Sequence, residues 1–154
     1  KKNYYLEGRE WPYKNVKPCI IAEKYMEDEN GELRDYKFYC FNGVPRYSLI
    51  TTDRLSPDMP TCYTYFDMDF KMLPFFNSGP HARESLSKPD KYEHMKSLAQ
   101  LLAEGMLHVR VDFYQVGGQI YFGELTFFDS SGMAAFEPQE WDEIIGSWLE
   151  LPGR

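Results

Sequence analysis

Cysteine and histidine are scarce in this chain, and the pattern around the cysteines excludes as much as their number does. Cys19, Cys40 and Cys62 are odd in number, widely spaced and form no C-x-x-C pair. Neither a zinc site nor a disulfide framework is expected, and the three read as free thiols in a reducing, cytoplasmic compartment. No apolar run approaches the roughly 20 residues that a membrane span needs, and the opening "KKNYYLEGREWPYKN" is polar and aromatic rather than signal-like. No basic stripe runs along any element, and 17 Lys and Arg against 24 Asp and Glu leave a net charge of −7, so nucleic acid is not an expected partner. What the chain has in surplus is aromatic: 17% Phe, Trp and Tyr argues for an ordered core. Its 154 residues suffice for one domain with a sizeable interior.

The most informative stretch is "RVDFYQVGGQIYFGELTF", Arg110 to Phe127. Two alternating arms flank Gly117-Gly118, the pattern of a β-hairpin. With a two-residue loop, Asp112 pairs with Gly123 and Glu124 falls on the other face. With a three-residue loop, Gly117-Gly118-Gln119, Val116 pairs with Ile120 and Asp112 lies opposite Glu124. The apolar pattern favours the second register, which gathers Val109, Val111, Phe113, Tyr121, Leu125 and Phe127 on a core face. The other face then collects Arg110, Asp112, Tyr114, Phe122, Glu124 and Thr126, with the two carboxylates at a Cβ spacing of about 5 Å. Like charges so placed call for a cation. Mg²⁺ or Mn²⁺, completed by water and phosphate oxygens, suits two carboxylate arms; the alternative is that Arg110 neutralises both acids as a surface network.

Elsewhere, "KPCIIAEKYM" predicts a strand over Cys19 to Met26, ending in the acidic turn "EDENGE". That turn invites a calcium reading, but it fails the EF-hand pattern and reads as a solvated turn. "DYKFYCFNGVPRYSLITT" predicts a hairpin about Asn42-Gly43, and "CYTYFDMDFKMLP" another strand or a bent pair. A Gly-, Pro- and Ser-rich loop follows. A helix is expected from about Pro89 to a stop at Gly105, with Tyr92, Met95, Leu98, Ala99, Leu102 and Met106 as its core stripe. A last helix from about Pro138 should bury Trp141, Ile144 or Ile145, Trp148 and Leu149. The order of elements is an α+β pattern of antiparallel strands with helices packed on one face, in a single domain over 1–154 without repeats.

Arg110-Val-Asp112 followed by Glu124-Leu-Thr126 resembles the R-x-D…E-x-N signature of the ATP-grasp fold. "IIAEKYM" looks like the hinge strand whose main chain binds adenine there, and "DYKFYCFNG" like the D-x-[KR] strand that reaches toward phosphates. Taken together, "YKNVKPCIIAEKYMED", "GELRDYKFYCFNGVPRY", "VRVDFYQVGGQIYFGELTFF" and "FEPQEWDEIIG" resemble the TupA-like ATP-grasp family, named for teichuronopeptide synthesis, over nearly the whole chain. The resemblance implies ATP-dependent carboxylate–amine ligation through an acyl phosphate, in bacterial cell-surface polysaccharide or polymer biosynthesis. ATP and Mg²⁺ (or Mn²⁺) would be the cofactors, and a carboxylate-bearing sugar or peptide the acceptor. It implies that Asp112 and Glu124 hold the metal, with Thr126 standing where many relatives place a ligating Asn. Arg110 would stabilise charge on the intermediate and Lys37 would meet a phosphate, while Glu23, Lys24 and Met26 would line the adenine site. "DSSGM", Asp129 to Met133, resembles a small-residue loop that offers N–H groups to the reacting carboxylate. The family's lysine-bearing, glycine-rich phosphate loop is expected to precede Lys1. The chain is then the carboxy-terminal portion of an incomplete ATP-grasp fold, inactive alone and open to self-association through an exposed cleft edge.

The single histidines His81, His94 and His108 read as structural. Arg54, in "TTDRLS", faces substrate or solvent. A second functional class remains open: a non-catalytic carbohydrate-binding or glycosyltransferase-associated module in polysaccharide assembly, its aromatics stacking on sugar rings. Its one metal-binding candidate, the D-x-D of Asp67 and Asp69, reads as strand geometry.

Overall fold

In the computed structural model, residues 3–28, 31–54 and 56–153 are described; residues 29 and 30 of the acidic turn lie outside them. Five antiparallel strands form one sheet: β1 (Asp35–Phe41), β2 (Val44–Thr52), β3 (Cys62–Asp67), β4 (His108–Val116) and β5 (Gln119–Thr126). Their order across the sheet is β3-β2-β1-β4-β5, so β1 is central. Around them lie α1 (Tyr4–Gly8), α2 (Tyr92–Leu102) and α3 (Glu140–Gly146), with single 3₁₀ turns at Trp11–Tyr13 and Asp129–Gly132. The expected β1–β2 hairpin is present, and Asn42 and Gly43 both take positive φ, at 48° and 79°, as a two-residue turn between right-twisted strands requires.

The first apolar cluster lies under α2. Strand residues Tyr36, Phe38, Cys40, Ile50, Val109, Val111 and Phe113 meet Tyr92, Met95, Ala99 and Ala103 there. The helix begins one turn after Pro89, whose carbonyl accepts from the Tyr92 amide, and Gly105 stops it at φ 75°. Leu98 and Met106 pack at the margin as the stripe predicts, but Leu102 is exposed. The second cluster lies on the opposite face, where Tyr39, Phe41, Tyr47, Leu49, Tyr65 and Phe75 are covered by Ile145 of α3, with Trp141, Trp148 and Leu149 at its edge. Helices therefore cover both faces rather than one. Strands β1 to β3 place aromatic residues on both sides of the pleat, and each side needs its own cover. Of the two candidates in α3, Ile145 is buried and Ile144 is exposed.

Two further expectations are corrected. Cys19–Met26 is not a strand: Ile20 and Ile21 stand 84% and 79% exposed, and among the described residues no strand pairs with the stretch. β-propensity expresses itself only against a partner. In the β4–β5 hairpin the loop is the two-residue one, since Val116 pairs with Gln119 and Gln115 with Ile120. The register then shifts between Val111 and Phe113, after which Val111 pairs with Leu125 and Arg110 with Thr126. A β-bulge at Gly123-Glu124, two residues against Asp112, reconciles the turn with the core. Before the bulge the faces are reversed relative to expectation: Ile120 packs on the first cluster, while Tyr121 leaves it. Gly123 has little choice of side chain, since a Cβ there would lie 3.1 Å from the Asp112 carbonyl oxygen and 3.2 Å from Cε2 of Tyr114.

Candidate active site

The face of the sheet that carries the aromatic cluster becomes ionic toward β4 and β5. Lys37 lies opposite Asp112, and Tyr39 opposite Arg110, in the β1–β4 pairing. Directly opposed residues share a face, so these four side chains are neighbours by register alone. Arg110 is 8% exposed and Asp112 1%. Between them runs a two-pronged bond: Nε donates to Asp112 Oδ1 and Nη2 to Oδ2, each at 2.8 Å. Nη2 also donates to Glu124 Oε1 at 2.9 Å, and Nη1 to Asp129 Oδ1 at 2.7 Å. On the far side of Asp112, Lys37 Nζ donates to Oδ2 at 2.5 Å and stands 3.4 Å from Asp35 Oδ1. Asp35, itself buried, accepts from Arg54 Nη1 at 2.7 Å.

The result is a continuous chain of alternating charge, from Arg54 through Asp35, Lys37, Asp112 and Arg110 to Glu124 and Asp129. Burial opposes the charge of Arg110, yet the hydrogen bond and attraction of Asp112, joined by Tyr39 and Asp129, hold its pKa above the ordinary value. The guanidinium stays a cation in its enclosure. Burial likewise pushes the Tyr114 hydroxyl, near Asp35, up to about 12.

This geometry tests the two readings of the carboxylate pair. Arg110 does bond both acids, but as a buried fork rather than as a surface network. The two carboxylates are not equivalent. The oxygens of Asp112 are already occupied by Arg110 and Lys37, whereas the Glu124 side chain is 61% exposed and uses Oε1 for both Arg110 and the Thr126 hydroxyl, the latter at 3.0 Å. Among the described residues no three His, Cys, Asp or Glu side chains converge as a ready metal cage. The available donors are nevertheless all hard oxygens, and carboxylates outnumber cations by one in the chain of charge. Hard oxygens are the donor type that Mg²⁺ or Mn²⁺ takes, and Glu124 is the carboxylate of the pair that faces a cleft.

This cleft of about 760 Å³ adjoins Glu124 but not the buried Asp112, lined by Arg110, Glu124, Thr126, Asp129 and Ser130 on one side and by Tyr13, Lys17, Pro18, Cys19 and Ile20 on the other. The amino-terminal wall is tied down at two points: Ser131 Oγ donates to Glu10 Oε1 at 2.9 Å, and the Phe127 amide donates to the Tyr13 hydroxyl at 3.4 Å. The "DSSGM" loop forms the cleft's end, with Ser130, Ser131 and Gly132 in succession at φ 49°, 56° and 70°. Two consecutive serines in the left-handed region are uncommon.

Arg110, Lys37, Asp112, Glu124 and Thr126 are thus brought together. Glu23, Lys24 and Met26 are not: Glu23 and Lys24 are exposed, Met26 is half-buried, and none of the three lines the cleft. The structure adds Asp35 and Tyr39, which sequence reasoning had not singled out as site residues, and gives Asp129, expected only as the start of the "DSSGM" loop, a side-chain bond to Arg110. Asp35 and Tyr39 were within its reach, lying two positions either side of Lys37 on one strand face. Asp129 follows β5 in a loop, where no periodicity signals direction.

A family model described as TupA-like ATPgrasp matches residues 1–150 of the chain. The chain belongs to the TupA-like ATP-grasp family. No curated protein and no solved structure matches it. No helix among the described residues is long and apolar enough to cross a membrane. Its cysteines are free, Cys19 exposed and Cys40 and Cys62 buried. The remaining candidates resolve as structural. Asp67 Oδ1 accepts from the amides of Asp69 and Lys71, closing its own turn, so the D-x-D is a capped bend. His81 Nε2 bonds the Phe75 carbonyl at 2.8 Å. The His108 ring packs edge-on against Phe41, and burial lowers its pKa.

Proposed function

We propose that this ATP-grasp domain binds ATP with Mg²⁺ or Mn²⁺ and serves a carboxylate–amine ligation in bacterial cell-surface polymer biosynthesis, with a carboxylate-bearing sugar or peptide as acceptor. The observation that carries the reading is the placement of Arg110, Glu124 and Thr126 on the wall of a cleft roomy enough for a nucleotide, with Asp112 buried directly behind Arg110. Asp112, Glu124 and Thr126 would hold the metal. When bound, such an ion neutralises phosphate charge and polarises the transferring group.

The chain's own residues supply the rest. Lys37, a point charge held between Asp35 and Asp112 behind the cleft wall, would meet a phosphate oxygen. Arg110, fixed along both edges of its fork, offers a preorganised cation to charge that develops on an acyl phosphate. The left-handed run at Ser130 to Gly132 turns the loop into the cleft end, where N–H groups would orient the reacting carboxylate. Glu23, Lys24 and Met26 would serve adenine only if their segment moved onto the cleft.

The test is calorimetric titration of Mg²⁺ or Mn²⁺ with a non-hydrolysable ATP analogue into the chain, beside an Asp112→Asn/Glu124→Gln variant. Metal-dependent nucleotide binding that disappears in the variant supports the reading. Binding that survives in it places the site elsewhere, and no binding of either component removes the reading.

A further inference from the structure

Asp129 lies outside the carboxylate pair and reaches Arg110 from the opposite side of the guanidinium. Its Oδ1 accepts from Arg110 Nη1 at 2.7 Å, and its Oδ2 accepts from the Tyr39 hydroxyl at 2.6 Å. Tyr39 is 5% exposed. Its ring stacks on Tyr47 with centroids 4.3 Å apart and planes 13° from parallel, and Tyr47 is itself in van der Waals reach of Phe75 and Trp148. A line of contact therefore runs from the aromatic core through one hydroxyl and one carboxylate to the buried cation.

This line matters because Arg110 and a divalent cation would draw on the same oxygens. Four of the five guanidinium N–H groups are committed: two to Asp112, one to Glu124 and one to Asp129. A cation that takes Oε1 of Glu124, or pulls the side chain toward itself through Oε2, loosens one of these bonds. A buried arginine left short of partners would follow Glu124 or hold it back, since an uncompensated charge is costly in an enclosed site. Resting on the metal-binding reading above, we propose that Asp129, held by Tyr39, is a positioning residue that retains Arg110 when Glu124 is given over to a divalent cation. It lowers the competition between the internal cation and the metal. The bond from Tyr39 fixes Asp129 through a charge-neutral group, so the device does not depend only on Asp129 adding a negative charge nearby.

The experiment is titration of Mn²⁺ alone into the full chain, followed calorimetrically, with a thermal melt of each variant. Asp129→Asn should weaken Mn²⁺ binding about tenfold, the size of one lost charge-assisted bond. Tyr39→Phe removes one hydroxyl and no charge, carries the least risk to the fold, and should weaken it about threefold. In an Arg110→Lys background, where charge is kept but the fork is lost, Asp129→Asn should lose most of its effect. If Tyr39→Phe leaves affinity unchanged, or if Asp129→Asn acts equally in both backgrounds, Asp129 does not act as a Tyr39-held partner of Arg110 and the proposal is overturned. If Glu124→Gln, with Asp129 and Tyr39 intact, binds Mn²⁺ as well as the unaltered chain does, the carboxylate pair itself is not the metal site. That outcome overturns the underlying reading together with this one, and it is recognised by this control alone.

Discussion

The two faces of the sheet are built from the same strands, residue by alternate residue, and obey different rules. Toward α2, β1 presents Tyr36, Phe38 and Cys40, and β4 presents Val109, Val111 and Phe113, all within one apolar cluster. On the reverse, the same strands present Asp35, Lys37 and Tyr39, and Arg110 and Asp112, of which only Tyr39 joins an apolar cluster. The first face is held by burial, which is non-directional and tolerates swaps of similar volume. The second is held by donors and acceptors in fixed directions, where removing one partner strands another. A pleated sheet can thus carry stability on one side and chemistry on the other without giving either its own strands. The chemical face is also not uniform. Its β1–β3 end is closed by α3 and aromatic rings, and its β4–β5 end opens to the cleft.

Substitutions on each face should separate these roles. Phe38→Ala, emptying the centre of the α2 cluster, is expected to cost about 3–5 kcal/mol in denaturant unfolding while leaving Mn²⁺ affinity of the folded chain unchanged. Arg110→Met should cost a comparable amount, about 3–5 kcal/mol, because Asp112 and Asp129 lose their shared cation. Adding Asp112→Leu to that variant should restore part of the loss. If the double variant is less stable than Arg110→Met, the pair is not the main source of the cost.

Gly123→Ala sharpens the comparison at the bulge. Crowding the Asp112 carbonyl should cost about 1–3 kcal/mol and displace Glu124, so metal binding should weaken with both carboxylates still present. A variant that binds Mn²⁺ normally would show that the bulge does not position Glu124.

A smaller effect is expected from pH. Burial holds the His108 pKa below its ordinary 6.5, so the unfolded chain binds the proton more readily than the folded one. The neutral ring's contribution is fully present above pH 6.5 and is lost as pH falls through that value and then through the lower folded pKa. The slope of stability against pH between 5 and 7 should flatten in His108→Gln. Smallest of all should be Lys88→Ala. The exposed Lys88–Glu93 pair is expected to contribute less than about 1 kcal/mol, read as a near-unchanged melting temperature.

Much of this architecture is legible in the residues. Asn42-Gly43 between alternating arms specifies the β1–β2 hairpin, and Tyr92, Met95 and Ala99 at helical spacing specify the buried stripe of α2. Strand period places Arg110 beside Asp112 and Glu124 beside Thr126, whereas the meeting of the two pairs depends on the bulge rather than on the expected three-residue loop. Local pattern determines such features because turn chemistry and amphipathic period act over a few residues.

Tertiary structure decided what depends on distant partners. Whether "CIIAEKYM" is a strand depends on a neighbour that local propensity cannot supply. Whether the hairpin has one register or two depends on a conflict between a two-residue turn and a core that wants Leu125 beside Val111, and the bulge at Gly123 resolves it. Helices on both faces follow from how three aromatic strands assemble. The bond of Asp129 to Arg110 follows from where a loop lands after β5. Sequence alone therefore marked Lys37, Arg110, Asp112, Glu124 and Thr126 as candidates. Long-range packing decided which of them meet, because hydrogen bonds and ion pairs between distant segments exist only once the sheet has brought those segments together.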